Sequence, residues 1–313
     1  MPPTGRFAPS PTGPLHLGSL VAAVGSWLFA RKEGGRWLVR VEDIDTPRVV
    51  PGSEDEILAA LVRYGLEWDG EVVRQSERTP LYEAALAVLR ERGQVFDCSC
   101  SRAELQRAAS APAANDPQEA DGPVYPGTCR AGLPAGRAAR AVRFRVPEGI
   151  VAFDDLVHGV VGEDVALRTG DFVVKRADGL FAYQLAVVVD DAEQGVTQVV
   201  RGGDLLSSTA RQIALQRALG VATPSYAHLP LVTTREGAKL GKRDGALLLP
   251  SLDSRRVGDT LSLALAILGI AGVDPRDPRA MLDEALARFE AGAVPGAVVA
   301  IDDSSAVDGP TLP

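Results

Sequence analysis

Apolar residues along this chain fall into blocks of two kinds. The run from Leu20 to Ala30 is apolar almost throughout and too long for a strand, so it predicts a buried helix. Arg36–Val41 and Val196–Val200 are short, valine-rich and bounded by polar turns, as strands are. A helix from about Leu205 to Leu219 follows the second strand. Ser53-Glu-Asp-Glu56, ahead of the apolar run Ile57 to Leu66, has the form of a capping box and predicts a helix start with no further role. Near the end, the apolar stretch Leu261 to Val273 predicts another helical segment, and a Gly/Pro/Asp-rich tail runs from Asp302 to Pro313. Strands that feed helices in this way predict an α/β fold.

The segment ahead of the first helix carries the most chemistry. Arg6-Phe-Ala-Pro-Ser10-Pro-Thr-Gly-Pro-Leu-His16-Leu-Gly18-Ser19 reads as a strand end, a rigid loop and a helix start. Pro9, Pro11 and Pro14 restrict the backbone, while Gly13 and Gly18 permit close approach of a ligand. The free N–H groups and positive dipole end of the helix favour an anion there. Far along the chain, Lys239-Leu-Gly241-Lys242-Arg243 sets two lysines on a Gly-containing loop, which suits a mobile segment closing over phosphates.

The first segment resembles the nucleotide-binding signature of the class I aminoacyl-tRNA synthetases, in its glutamyl wording, and the second is similar to their Lys-Met-Ser-Lys-Ser loop. Ser19 stands where the family has a second histidine and Gly241 where it has a serine. The resemblance covers roughly residues 5 to 250. It implies a Rossmann-like parallel sheet, catalysis by His16, Lys239 and Lys242, and ATP contacts from His16, Gly18, Ser19, Asp204 and Lys242. It also implies an amino-acid pocket lined by Arg6, Ser10, Glu42, Tyr183 and Arg201. Glutamate offers two carboxylates and an ammonium, so Arg6 is expected on the side-chain carboxylate and Glu42 on the ammonium.

Cys98-Ser-Cys100 and Cys129 are the only three cysteines, and an odd number without a signal sequence points to a metal site rather than to disulfides. The short glutamyl-queuosine tRNA(Asp) synthetases resemble this chain in their Cys-x-Cys and Tyr-x-x-x-Cys spacing. That resemblance implies one structural Zn²⁺ on Cys98, Cys100, Tyr125 and Cys129, with Asp97 or water as other possible fourth ligands.

Composition narrows the partners. A net charge of −8, from 33 basic against 41 acidic residues, argues against indiscriminate nucleic-acid binding and leaves a local basic surface, with Arg130, Arg137, Arg140, Arg143 and Arg145 as candidates. Thirteen apolar residues from Leu261 are too few to span a bilayer, and no signal peptide precedes the first strand, so a cytoplasmic protein is expected; a monomer is the expected state.

The expected organisation is a catalytic domain in two parts, 1–95 and 184–250, split by a smaller α/β zinc-containing insert at 96–183. A helical stem remnant and tail follow at 251–313, with no anticodon-binding domain. The resemblance implies that glutamate is activated with ATP and Mg²⁺ and transferred to queuosine in the anticodon of tRNA(Asp). The alternatives are an ordinary glutamyl-tRNA synthetase charging a 3′ end, or a paralogue without catalysis.

Overall fold

The computed structural model describes residues 1–108, 124–234, 249 and 254–301. The chain opens with β1 (Thr4–Phe7), α1 (Leu17–Lys32) and β2 (Arg36–Val41). β1 and β2 pair in parallel, Thr4 beside Arg36 through Phe7 beside Val39, so the intervening helix crosses back over the sheet. α1 buries 11 of its 16 residues, which is why its sequence shows no polar face. α2 (Ser53–Arg63), β3 (Val73–Arg74) and α3 (Thr79–Glu91) follow, with β3 parallel to β2.

Ser53 does not cap α2 as the sequence pattern predicts. Gly52 takes the N-cap position, with φ 79°, and Ser53 Oγ instead donates to the Gly13 carbonyl at 2.8 Å and accepts from the Gly13 N–H at 3.0 Å. Ser53 is buried against the loop between β1 and α1, where a peptide group removed from water needs partners of its own. The hydroxyl thus fixes the loop that carries the first motif.

In the middle of the chain come β4 (Val95–Cys98), α4 (Arg102–Ala108), β5 (Ala141–Phe144), β6 (Ile150–Asp155), β7 (Gly159–Asp164), α5 (Val165–Arg168) and β8 (Val173–Lys175). β4, β5 and β8 form a small antiparallel sheet. The core resumes with α6 (Tyr183–Glu193), β9 (Gln198–Gly202), α7 (Leu206–Leu219) and β10 (Ser225–Leu229), and β9 pairs in parallel with β10. The hairpin of β6 and β7 joins this sheet rather than the small one, since β6 pairs with β10 where Asp155 meets Tyr226.

Thr197 N–H donates to the Thr4 carbonyl at 3.0 Å and Thr4 N–H to Thr197 Oγ1 at 2.9 Å, which ties β9 to β1. The C-terminal ends of the core strands therefore lie together, where open α/β sheets place their ligands. At the C-terminus, β11 (Val232–Thr234) pairs with β12 (Val299–Ile301), and α8 (Ser254–Ile267) and α9 (Pro278–Arg288) pack on α1. α8 stops at Ile267 rather than running to Val273, because the chain turns at Gly269, where φ is 89°. Among the described residues, no helix is long and apolar enough to cross a membrane.

Candidate amino-acid and nucleotide site

A cavity of about 280 Å³ opens at the C-terminal ends of β1, β2 and β9, lined by Arg6, Ser10, Glu42, Tyr183 and Arg201 over an apolar floor that includes Ala22 and Val200. All five residues expected for an amino-acid pocket thus meet in one cleft, although they come from four separate parts of the chain.

Two kinds of charge surround it. On one side is a compensated network: Arg6 Nε donates to Asp191 Oδ1 at 3.1 Å, and Arg40 Nη1 donates to the same oxygen at 2.8 Å and to Gln194 Oε1 at 2.7 Å. Arg40 Nη2 reaches Glu42 Oε1 at 3.2 Å. Behind it, Asp190 accepts from Arg78, Gln75 and Tyr82. Burial works against the Asp191 carboxylate, yet Arg6 and Arg40 outweigh it and hold its pKa below the ordinary value. Glu42 goes the other way: its burial outweighs Arg40 and Arg6 and pushes the carboxyl up. Among the described residues, Arg6 bonds through Nε alone, so its terminal nitrogens remain for a ligand carboxylate.

Arg201 forms the other side. It is buried, and it donates to His228 Nε2 (3.1 Å), Gln212 Oε1 (2.8 Å), Tyr183 Oη (3.5 Å), Thr209 Oγ1 (2.8 Å) and the Leu205 carbonyl (3.3 Å). His228 Nδ1 in turn contacts Asp155 Oδ2 at 2.6 Å. Burial, with Arg201 alongside, lowers the pKa of His228, which therefore stands as the neutral ring.

His16 is the N-cap of α1: its Nδ1 accepts from the Ser19 N–H at 3.3 Å, closing the first turn with its own ring. Gly18 leaves room for that ring, since a Cβ there would stand 3.2 Å from it. Asp204 lies exposed in the turn after β9, beside Gly202 and Leu205 at the rim of the cavity. Lys239 and Lys242 lie outside the described residues. Leu249, the next described residue, donates its N–H to the carbonyl of Leu15, the residue before His16, at 3.3 Å.

The cysteines meet at the C-terminal end of β4, beside the small sheet. The Sγ atoms of Cys98, Cys100 and Cys129 all lie within 4.8 Å of one another, with Cys100 and Cys129 3.7 Å apart and Tyr125 Oη 3.6 Å from Cys98 Sγ. A tetrahedral metal with sulfur at about 2.3 Å needs sulfurs roughly 3.8 Å apart, so the spacing fits. Burial and the neighbouring Cys129 push the Cys100 thiol up to about 11. For Cys129 burial is outweighed by hydrogen bonds from Ser99 and Tyr125, which bring it down to about 7. Arg143 donates to Cys98 Sγ at 3.3 Å and stacks 4.0 Å from the Tyr125 ring centroid, adding positive charge beside the sulfurs. Asp97 turns away to Arg90 at 2.9 Å.

Of the five arginines proposed as a basic surface, Arg143 is buried, Arg130 pairs with Asp171, Arg137 pairs with Glu104 and Arg145 stacks over Phe96. These four are engaged in holding the segment together. Sequence reasoning also missed Arg40, Asp155, Asp190, Asp191, Gln212 and His228. The adjacent carboxylates Asp190 and Asp191, closing an otherwise apolar helix, were a readable signal; His228 within the strand Tyr226 to Leu229 gave none.

Comparison with known proteins gives a consistent picture. The class I tRNA synthetase (E and Q) catalytic-domain family matches residues 4–289. The chain is 56% identical over 304 residues to a glutamyl-Q tRNA(Asp) synthetase of Geobacter sulfurreducens, covering 95% of each chain. It is 51% identical over 294 residues to one of Chromobacterium violaceum, covering 92% of this chain and 95% of that one. Its fold matches a glutamate tRNA ligase from Elizabethkingia meningosepticum, solved in complex with its amino acid, with a TM-score of 0.77 and 29% identity over 94% of this chain. The chain spans 66% of that longer protein.

Proposed function

The chain belongs to the class I tRNA synthetases of the glutamyl and glutaminyl type, in the glutamyl-Q tRNA(Asp) synthetase family, and is a ligase; on that footing we propose that it activates glutamate with ATP and transfers it to queuosine of tRNA(Asp). The single observation that supports the substrate is the cavity in which two arginines, a buried carboxyl and two hydroxyls converge on a space for one small zwitterion.

In this reading the glutamate side-chain carboxylate sits between Arg6 and Arg201, with Tyr183 beside it, and Glu42 and Ser10 hold the ammonium. An oxygen of the α-carboxylate then attacks the α-phosphorus of ATP; the new P–O bond forms as the bond to the bridging β-oxygen breaks, and pyrophosphate leaves. His16, the α1 N-terminus, Lys239 and Lys242 stabilise the phosphate charge as it shifts, and ATP enters as its Mg²⁺ complex. Gly18, Ser19 and Asp204 complete the nucleotide contacts. A queuosine hydroxyl finally attacks the acyl carbonyl, and AMP leaves with the electron pair.

The cysteine cluster is proposed as a structural Zn²⁺ site with Tyr125 as fourth ligand, which would brace β4 against β5 and the loop around Cys129 without a chemical role. The division into catalytic parts 1–95 and 184–250, insert 96–183 and stem 251–313 is likewise proposed.

Pyrophosphate exchange into ATP tests the amino-acid half: it is expected with glutamate, and far more weakly with glutamine, whose neutral amide leaves a buried guanidinium unpaired. Equal exchange with the two would overturn the pocket. The raised pKa of Glu42 adds a pH signature. Only the ionised carboxyl attracts an ammonium, so the KM for glutamate is expected to climb as pH falls through a value above the ordinary carboxylate range, while the KM for ATP stays level. Glu42→Gln should weaken glutamate at neutral pH and abolish this dependence. A glutamate KM that is level down to the ordinary carboxylate range would refute the ammonium assignment.

A further inference from the structure

Arg201 differs from the other buried arginines of the site in the company it keeps. Arg6 and Arg40 share Asp191, Arg40 also contacts Glu42, and the half-buried Arg78 beside them pairs with Asp190. Arg201 is equally buried, yet among the described residues its hydrogen-bond partners are an imidazole, an amide, two hydroxyls and a backbone carbonyl, and no carboxylate lies within 4.0 Å. Its fixed cation is positioned on three sides and neutralised on none of them. A buried charge with no counter-ion is costly, and a protein retains one where a ligand supplies the missing charge.

The fold builds this cage deliberately from neutral groups. β9 and β10 are in register so that Arg201 stands opposite His228, and α7 presents Thr209 and Gln212, one turn apart, toward the same guanidinium. With Nδ1 bound to Asp155, the His228 ring turns Nε2 to Arg201 as an acceptor, which a doubly protonated ring could not do. Asp155 thus orients the ring while standing one imidazole away from the cation. Gln212 is buried and its Oε1 accepts from Arg201, while among the described residues its own Nε2 finds no hydrogen-bond partner, so the amide is held where the guanidinium needs an acceptor.

We infer that Gln212, together with His228, determines specificity for an anionic side chain: the cage holds Arg201 rigid with acceptors that carry no charge, so that the ligand's carboxylate is the counter-ion. This rests on the glutamate reading given above and adds the residues that enforce it. Gln212 and His228 act through Arg201 and are positioning residues.

Gln212→Glu tests this directly, because it keeps the shape and places a carboxylate 2.8 Å from the Arg201 nitrogen that Oε1 now accepts from. In pyrophosphate exchange the variant should raise the KM for glutamate by roughly a hundredfold, the scale of a lost buried charge pairing. The preference for glutamate over glutamine should collapse with it, and the KM for ATP should hold. Its melting temperature is expected to equal or exceed that of the unaltered protein, since an internal ion pair is gained. Gln212→Met separates charge from packing: it should lower kcat/KM for both amino acids and keep their ratio. A Gln212→Glu protein that still prefers glutamate overturns the inference, and so does one that fails to fold. If the unaltered protein itself shows no preference for glutamate, the pocket assignment falls instead.

Discussion

Arg6→Ala is expected to cut kcat/KM for glutamate-dependent pyrophosphate exchange by about one and a half to three and a half powers of ten, while leaving the protein folded. The magnitude follows from the geometry. Truncating one partner of a buried, hydrogen-bonded charge pair costs about 2–5 kcal/mol, and each 1.4 kcal/mol is tenfold. Folding should survive because Asp191 keeps its second arginine: Arg40 Nη1 lies 2.8 Å from the oxygen that Arg6 vacates. Most of the loss should appear in the KM for glutamate, since Arg6 faces the amino acid and not the phosphates. Melting curves and the KM for ATP, measured alongside, separate a damaged pocket from a damaged fold. A variant with glutamate kinetics close to normal would move the amino acid out of this cavity.

Cys98→Ser should have the second large effect, on metal and on stability rather than on chemistry. Elemental analysis of protein purified without chelator is expected to give one Zn per chain, and the variant close to none. Structural zinc sites in small domains are worth on the order of 10 kcal/mol, so losing a ligand should also unlock the segment around β4 and expose it to proteolysis. Tyr125→Phe is the milder case and should weaken the site without emptying it, because three sulfurs remain. Metal-free protein, or a Cys98→Ser variant with full metal content, would contradict the proposal.

What the sequence made legible was whatever local pattern specifies. The buried helix α1 and the strand Arg36–Val41 follow from hydrophobic blocks, and the strand seen at Gln198–Gly202 falls two residues beyond the predicted one. Arg6, Ser10, Glu42, Tyr183 and Arg201, which line one cavity, were singled out through the resemblance carried by the motifs that flank them. Hidden from the sequence was everything that depends on which distant residue faces which. Ser53 matched a capping pattern, but tertiary contact gave its hydroxyl to Gly13, 40 residues earlier. Arg40 and His228 sit inside apolar strands, where side-chain period alone cannot say that one meets Asp191 and the other Arg201. The arginines of the middle segment were candidates for an RNA surface on composition alone, which reports charge and not its partners; Arg130 and Arg137 pair with Asp171 and Glu104.

The central claim is that glutamate passes to queuosine of tRNA(Asp), and acceptor charging tests it most directly. Queuosine carries a cyclopentene diol whose adjacent hydroxyls resemble the 2′,3′-diol of a terminal adenosine, so one acyl-transfer site can serve it, and an unpaired anticodon base can be splayed out to reach that site. The protein should be given radiolabelled glutamate, ATP and, in separate reactions, tRNA(Asp) with queuosine, tRNA(Asp) without it, and tRNA(Glu), followed by nuclease mapping of the label. Label confined to the anticodon loop of queuosine-containing tRNA(Asp) is the predicted result. Label on the 3′ end of tRNA(Glu), or on tRNA(Asp) that lacks queuosine, would contradict it.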